Sequence, residues 1–154
     1  MFNLLKKVRR IELSPSCRCG SWYNYFMETI ETLNFFIGGF SGDYEKIVWQ
    51  NDKLYHFFER SFLEEDFTIP STKDWDEFWD TVDTLKVWSW RKDYNNDDVL
   101  DGTQWELTIK REGRRKRRIF GSNAYPKPKG TFNSFIKALN KLSKSEIEFE
   151  EEEE

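Results

Sequence analysis

The sequence has little of the residue types from which catalytic and metal centres are usually built. It contains one histidine, His56, and two cysteines, which stand together as Cys17-Arg18-Cys19. A single histidine offers no second imidazole for a metal or an acid–base pair, and one Cys-x-Cys lacks the paired spacing of structural zinc sites. A disulfide between residues two apart is strained, so we expect free thiols in a reducing compartment. The sequence predicts no metal and no cofactor.

Long apolar runs are also missing. No segment reaches the roughly 18 uninterrupted apolar residues of a membrane-spanning helix. Residues 1–10 contain no apolar stretch of signal-peptide length. These absences argue against a membrane partner and predict a cytoplasmic protein.

Aromatic side chains are what the sequence has in quantity. Hydrophobic residues make up 38% of the chain and charged residues 34%, a balance that by itself favours disorder. The 14 Phe, seven Trp and six Tyr oppose it, because disordered chains are poor in large rings and each ring buries a large area. With 154 residues, the chain is long enough for one domain with an aromatic core.

The charge is divided unevenly along the chain. The formal net charge is −4, but seven glutamates lie within residues 146–154, and the chain without them carries +3. We therefore expect one folded domain over residues 1–145 and an acidic, disordered tail over residues 146–154. Alternatively, Ile147 and Phe149 would let the tail add to the sheet as a strand.

Residues 7–60 have the composition of an antiparallel meander. Residues 7–13 resemble an edge strand, with a helix over residues 2–9 as the alternative. The segment Trp22–Phe40 favours further strands, and the glycine-rich residues 38–43 favour a turn. Asn51-Asp52, between two apolar runs, predicts a β-hairpin because both residues tolerate a positive φ.

The clearest helical pattern begins after Pro70. Ser71 or Thr72 is placed to cap this helix, and acidic residues in its first turn suit the positive end of the helix dipole. Residues 87–90 extend or follow the helix, and residues 93–98 are predicted as a polar loop. The apolar residues recur at helical spacing and comprise Trp75, Phe78, Trp79, Val82 and Leu85.

The rest of the chain predicts a strand, a turn, a second strand and a helix. Residues 104–110 alternate between apolar and polar side chains, the pattern of a half-buried strand. Glu112-Gly113 turns the chain into a returning strand at residues 116–120, and residues 121–126 form a bend. A last helix begins near Thr131, its possible cap, and buries Phe132, Phe135, Ile136, Leu139 and Leu142. The predicted fold is α+β, an antiparallel β-sheet meander with two helices packed on one face.

Three patterns resemble ligand sites but lack an essential part. A calcium loop beginning at Asp93 needs Gly at its sixth position and Glu at its twelfth, where Asp98 and Gln104 stand. Gly38–Gly42 lacks the Lys-Ser/Thr of a phosphate loop, and no nucleophile elbow accompanies His56. We therefore expect a protein that is not an enzyme, whereas a deep pocket with clustered carboxylates around His56 or Cys17 would favour one.

A basic run lies across the predicted hairpin turn, with seven cations in nine residues. A basic β-ribbon binds phosphates and releases their counterions. Alternatively, the run is a solvated turn, or the glutamates of the tail fold back and mask it. This candidate nucleic-acid site comprises Lys110, Arg111, Arg114, Arg115, Lys116, Arg117 and Arg118.

The aromatic content also suggests a protein interface. Seven Trp exceed what one small core needs, and Trp and Tyr are enriched where protein interfaces bind most strongly. The candidate protein-binding site is an exposed groove lined by Trp88, Trp90, Tyr94 and Tyr125.

Three blocks together resemble a group of short, uncharacterised bacterial proteins. That group shares a helix, an Asp-Gly-x-x-Trp strand and a Gly-Ser-Asn-x-Tyr-Pro bend before a last helix. The resemblance covers roughly residues 70–142 and implies the fold and a bacterial or phage origin, but no activity. Its blocks are Trp75–Trp79 with Val87–Trp90, Asp101–Leu107, and Gly121–Pro126 with Phe132.

The leading functional hypothesis is a non-enzymatic protein-binding module, such as an inhibitor, an immunity-type protein or an accessory subunit. It depends on the missing catalytic set, the surplus of aromatic residues and the two opposed charge segments. The alternative is a nucleic-acid-binding accessory protein that uses the Lys110–Arg118 hairpin.

Overall fold

The computed structural model describes residues 32–39, 42–58, 66–99 and 102–151. Over these residues the fold is α+β, with a seven-stranded, mostly antiparallel sheet and two α-helices, as predicted. The predicted strand at residues 7–13, the helix at residues 2–9 and both cysteines lie outside the described residues. The strands are β1 Thr32–Gly38, β2 Tyr44–Gln50, β3 Lys53–Phe58, β4 Asp66–Thr68, β5 Asp93–Asn95, β6 Gln104–Lys110 and β7 Arg117–Ser122; the helices are α1 Thr72–Thr84 and α2 Thr131–Ser143.

The sheet has the strand order β4-β3-β2-β1-β6-β7-β5. Strands β1 to β4 form a meander, each antiparallel to the next. Of the meander predicted over residues 7–60, the described residues cover 32–39 and 42–58. The predicted hairpin between β2 and β3 is confirmed, with Gln50 paired to Lys53. Asn51 and Asp52 both have a positive φ, 52° and 62°, as the tight turn between twisted strands requires.

Helix α1 begins where the sequence predicts. Ser71 is the cap: the backbone N–H of Asp74 donates to the Ser71 hydroxyl, and the Ser71 N–H donates to the Asp74 carboxylate at 2.8 Å. The Ser71 hydroxyl and backbone N–H donate to the Asp74 carboxylate and hold its pKa below the ordinary value. A short 3₁₀-helix, Val87–Ser89, follows α1 rather than extending it.

Helix α2 begins differently from the prediction. Its cap residue is Gly130, whose φ of 85° lies in the left-handed region, while Thr131 is the first helical residue and is buried. Thr131 is therefore not the cap, because it lies inside the helix and no described side chain bonds to the free N–H groups of the first turn.

The predicted polar loop at residues 93–98 contains a strand that the sequence does not reveal. Residues 93–95 form β5, which pairs in parallel with β7. Its central residue, Tyr94, is 5% exposed, and the Tyr94 hydroxyl accepts a hydrogen bond from the Arg91 backbone at 3.0 Å. A three-residue strand is too short for a periodic pattern, so only the pairing with β7 reveals it.

One face of the sheet forms the core. Cross-strand pairs join Phe35 of β1 to Leu107 of β6, and Leu107 to Ile119 of β7, all buried. Both helices contact this face through rings. Phe135 of α2 lies 5.9 Å from Phe35, and Trp75 of α1 lies 4.9 Å from Trp49, measured between ring centroids.

The tail differs from the expected disordered segment as far as residue 151. Ile147 is buried in the core, and Phe149 packs against it. Residues 145–151 are in no strand, so the tail does not add to the sheet either. The apolar residues at alternate positions anchor an extended segment to the domain.

Candidate functional site

The predicted aromatic groove does not form on the surface. Trp90 is 6% exposed and Tyr94 is 5% exposed, which corrects the expectation that both line an exposed site. The Trp90 ring lies 5.6 Å from Phe135, and its Nε1 donates to the Leu85 carbonyl oxygen at 3.1 Å. The large area that a tryptophan ring can bury is therefore used in folding.

Trp88 and Tyr125 remain half-buried. Trp88 stacks at 6.2 Å on Trp79, and its Nε1 donates to Asp83 at 2.8 Å. Tyr125 lies 5.0 Å from Phe132 of α2 and 4.8 Å from Phe149 of the tail. Trp90 and Tyr94 both contact the Trp105 ring, and Trp90 and Tyr125 both contact the Phe132 ring. These three residues therefore belong to the ring cluster of the core rather than to an exposed groove with Trp88.

Four of the seven predicted cations are engaged within the domain. Arg111 and Arg114 reach Asp83, at 3.3 Å and 3.9 Å, and Arg118 reaches Glu106 at 2.8 Å. This contact raises the pKa of Arg118, chiefly through the hydrogen bond to Glu106. Arg117 donates to the Trp90 carbonyl oxygen.

Two of these cations also lie over aromatic rings of α1 and the 3₁₀-helix. The guanidinium of Arg111 lies 5.3 Å from the Trp79 ring, and that of Arg114 lies 5.8 Å from the Trp88 ring. Such cation–π contacts fix the turn against the helix side of the domain. Within the part of the chain described, the remaining cations, Lys110, Arg115 and Lys116, form no salt bridge.

The described part of the tail does not mask these cations. Residues 147–150 line a shallow cavity with Ile37 and Thr103, next to the first residue of β6. The turn that follows Lys110, the last residue of β6, contains Arg111, Arg114, Arg115 and Lys116, and we call it the basic turn. The seven residues of β6 span about 20 Å. The acidic and basic segments thus lie at opposite ends of one strand.

His56 forms a pair with Glu45, with 2.5 Å between Nε2 and Oε2, and both side chains are largely buried. The cavity beside Glu45 has a volume of about 250 Å³, and its lining includes the carboxylates of Asp43, Glu45, Glu148 and Glu150 but no histidine. A second cavity, about 400 Å³, lies beside Phe36 and Asn123 and holds one carboxylate, from Asp43. Within the described ranges, no three His, Cys, Asp or Glu side chains are grouped to hold a metal ion.

The surface that sequence reasoning missed is the second face of the sheet. Cross-strand pairs align Phe57, Lys46, Phe36, Glu106 and Phe120 in one row across β3, β2, β1, β6 and β7. All five are half-buried or exposed. We call this surface the aromatic face; its rings are Phe36, Tyr44, Tyr55, Phe57, Phe67 and Phe120.

The rings of the aromatic face contact one another and nearby cations. Tyr55 lies 5.9 Å from Phe67, which is 49% exposed. The Lys53 ammonium lies 4.0 Å from the Phe67 ring, and the Arg118 guanidinium lies 4.9 Å from the Phe120 ring. Among the described residues, no ring contact joins a helix to this face. Because side chains alternate between the two faces of a strand, the rings of β3 could be assigned to one face from the sequence, but the sequence does not say which face is covered.

Searches of protein-family models and of curated proteins for similar sequences found no match to this chain. The resemblance to the bacterial group with the Asp-Gly-x-x-Trp strand therefore stays a prediction. In the described part of the chain, no helix is long and apolar enough to cross a membrane.

Proposed function

We propose that the protein is a non-enzymatic protein-binding module and that its aromatic face is the contact surface. The observation that carries this proposal is the row Phe57–Lys46–Phe36–Glu106–Phe120, which alternates rings and charges across five strands. Aromatic anchors surrounded by polar groups are typical of the regions of protein interfaces that bind most strongly.

The charges on the aromatic face favour an acidic partner. By register, the cations Lys46, Lys53, Lys110 and Arg118 lie on this face, whereas its anions are Glu106 and Asp93. Arg118 already binds Glu106. The surplus of lysine complements a protein surface with exposed carboxylates, as expected for an inhibitor, an immunity-type protein or an accessory subunit.

The test is an affinity capture from native lysate at moderate salt, analysed for protein and for nucleic acid. We expect one stoichiometric protein, whose capture falls at least about tenfold when Lys46→Glu reverses an exposed charge on the aromatic face. Lys137→Glu, on an exposed position of α2, is the matched control and should leave capture unchanged. A partner lost equally with both variants, or with neither, would contradict the proposed surface.

Nucleic-acid binding by the basic turn is the second candidate. The observation that favours it is that Arg115 and Lys116 are exposed and lie at the end of β6 away from the tail. With Lys110 they offer three cations, so the affinity for single strands should fall with salt at a log–log slope of about −2. Arg115→Ala should weaken binding to single-stranded DNA or RNA in fluorescence anisotropy, and no anisotropy change at low salt would exclude this candidate.

A further inference from the structure

The C-terminal segment occupies a groove that has the features of a peptide-binding site. The groove lies between α2 and the bend that precedes it, and we call it the tail groove; it is formed by Tyr125, Gly130, Phe132 and Asn140. Ile147 enters beside it and is 4% exposed, whereas Glu148 and Glu150 are exposed. Alternate side chains thus point inward, as in an extended peptide bound along a groove.

Asn140 binds the backbone of this segment in both directions. Its Nδ2 donates to the Ile147 carbonyl oxygen at 2.9 Å, and the Ile147 N–H donates to its Oδ1 at 3.0 Å. A primary amide that pairs with both backbone groups of one residue recognises an extended chain without regard to its side chain. The segment needs no neighbouring strand to satisfy these groups.

Two further contacts select side chains. The Phe149 ring lies 4.8 Å from Tyr125 and 5.0 Å from Phe132, at interplanar angles of 64° and 80°. One carboxylate oxygen of Glu151 accepts from the Gly130 N–H at 2.8 Å, at the start of the 13-residue helix α2. A carboxylate is stabilised there by the helix dipole.

We propose that the tail groove is a docking site for an extended acidic segment of a partner protein, with the pattern aliphatic–x–aromatic–x–acid. The chain's own residues 147–151 show this chemistry and occupy the site in cis. Since the contacts are one backbone pair at Asn140 and side-chain contacts at alternate positions, an extended segment of another chain with the same pattern satisfies the same groups. The tail acts as a tethered competitor at an effective concentration on the order of millimolar. A partner segment that displaces the tail must therefore be present at a higher concentration or bind the groove more tightly. Tyr44 of the aromatic face and residues 147–150 of the tail line one cavity, but the row of rings and charges that carries the first proposal includes neither. The two proposals are therefore tested by different variants and fail independently.

The test uses a fluorescein-labelled peptide of residues 145–154, titrated against the full chain by anisotropy. The Phe149→Ser variant weakens the competing tail, so it should bind the peptide at least about tenfold more tightly than the unaltered chain does. On that variant, a peptide with Phe149→Ala or Glu151→Ala should lose most of its affinity. A peptide with Glu148→Ala, an exposed position, is the matched control and should bind like the native sequence.

Equal binding of the native and Phe149→Ala peptides would overturn the proposal, because only acidity would then be recognised. So would an absence of binding at about 1 mM peptide to a variant with native near-ultraviolet circular dichroism. If Phe149→Ser does not fold, displacement of the tail is measured instead by hydrogen exchange at the Ile147 amide of the unaltered chain. Excess native peptide should accelerate that exchange and Phe149→Ala peptide should not; equal rates would overturn the proposal.

Discussion

At the scale of single residues, Trp105 shows how closely this core is packed. Its ring lies 4.5 Å from Phe132, and its Nε1 donates to the Ala124 carbonyl oxygen at 3.1 Å. Gly121 is the cross-strand partner of Trp105, and a Cβ atom built at Gly121 would lie 1.9 Å from the Trp105 ring nitrogen. The strand β7 therefore requires a residue without a side chain at this position.

Gly121→Ala should lower the free energy of unfolding by about 1–3 kcal/mol, because the added methyl group forces the Trp105 ring out of its place. Urea denaturation followed by tryptophan fluorescence measures the change. Gly113→Ala is the control: it has a φ of 77° but no atom near its Cβ position, so it should cost only the backbone strain of about 1 kcal/mol. A smaller loss at Gly121 than at Gly113 would contradict the close approach.

The two tryptophans of the predicted groove should respond differently to truncation. Trp90→Ala removes a buried ring and should cost about 3–5 kcal/mol of unfolding free energy. Trp88→Ala removes a half-buried ring and should cost about 1 kcal/mol. Urea denaturation of both variants checks the order. Equal losses of unfolding free energy would contradict the expectation that the buried Trp90 ring stabilises the fold more than the half-buried Trp88 ring.

At the scale of elements, side-chain pairs attach the helices to each other and to the basic turn. Lys141 of α2 donates to the Glu77 carboxylate of α1, and Arg111 of the turn reaches Asp83 at the end of α1. Periodicity predicted both helices and β6 because their buried faces repeat at a constant spacing. It did not predict β5, since three residues have no period, nor the partners of these charges.

The Glu77–Lys141 pair predicts how stability depends on pH. The hydrogen bond from Lys141 lowers the pKa of Glu77 below its ordinary value of 4.5. A carboxyl group whose pKa is lower in the folded state stabilises the fold above its unfolded pKa, and this is lost as the pH falls through the folded pKa. Lys141→Ala should therefore lower the melting temperature at neutral pH but not at pH values well below 4.5. Melting curves across this range check the sign; a difference that grows in acid would contradict it.

At the scale of the whole molecule, the tail is part of the domain as far as residue 151. Ile147 is buried, and Asn140 binds its backbone. The composition of residues 146–154 indicates disorder because glutamates dominate it. Two apolar residues at alternate positions outweigh that composition once α2 and the Tyr125 bend provide a groove for them.

Ile147→Ala should consequently lower the free energy of unfolding of the whole domain by about 2 kcal/mol, in a single urea transition. Val99→Ala, at an exposed apolar position, is the control and should change it by less than about 0.5 kcal/mol. An Ile147→Ala variant as stable as the unaltered chain would mean that the tail folds separately from the domain.

The sequence by itself determined the features that depend on near neighbours. The Asn51-Asp52 hairpin, a cap at Ser71 or Thr72 and the strict alternation of β6 each follow from the physical chemistry of a few consecutive residues. Only the tertiary structure decided that Trp90 and Tyr94 are core residues, that the tail occupies a groove, and that rings of β1, β2, β3, β4 and β7 share one face of the sheet. The reason is that burial and cross-strand neighbours depend on segments distant in sequence, and local patterns contain no information on which segments meet.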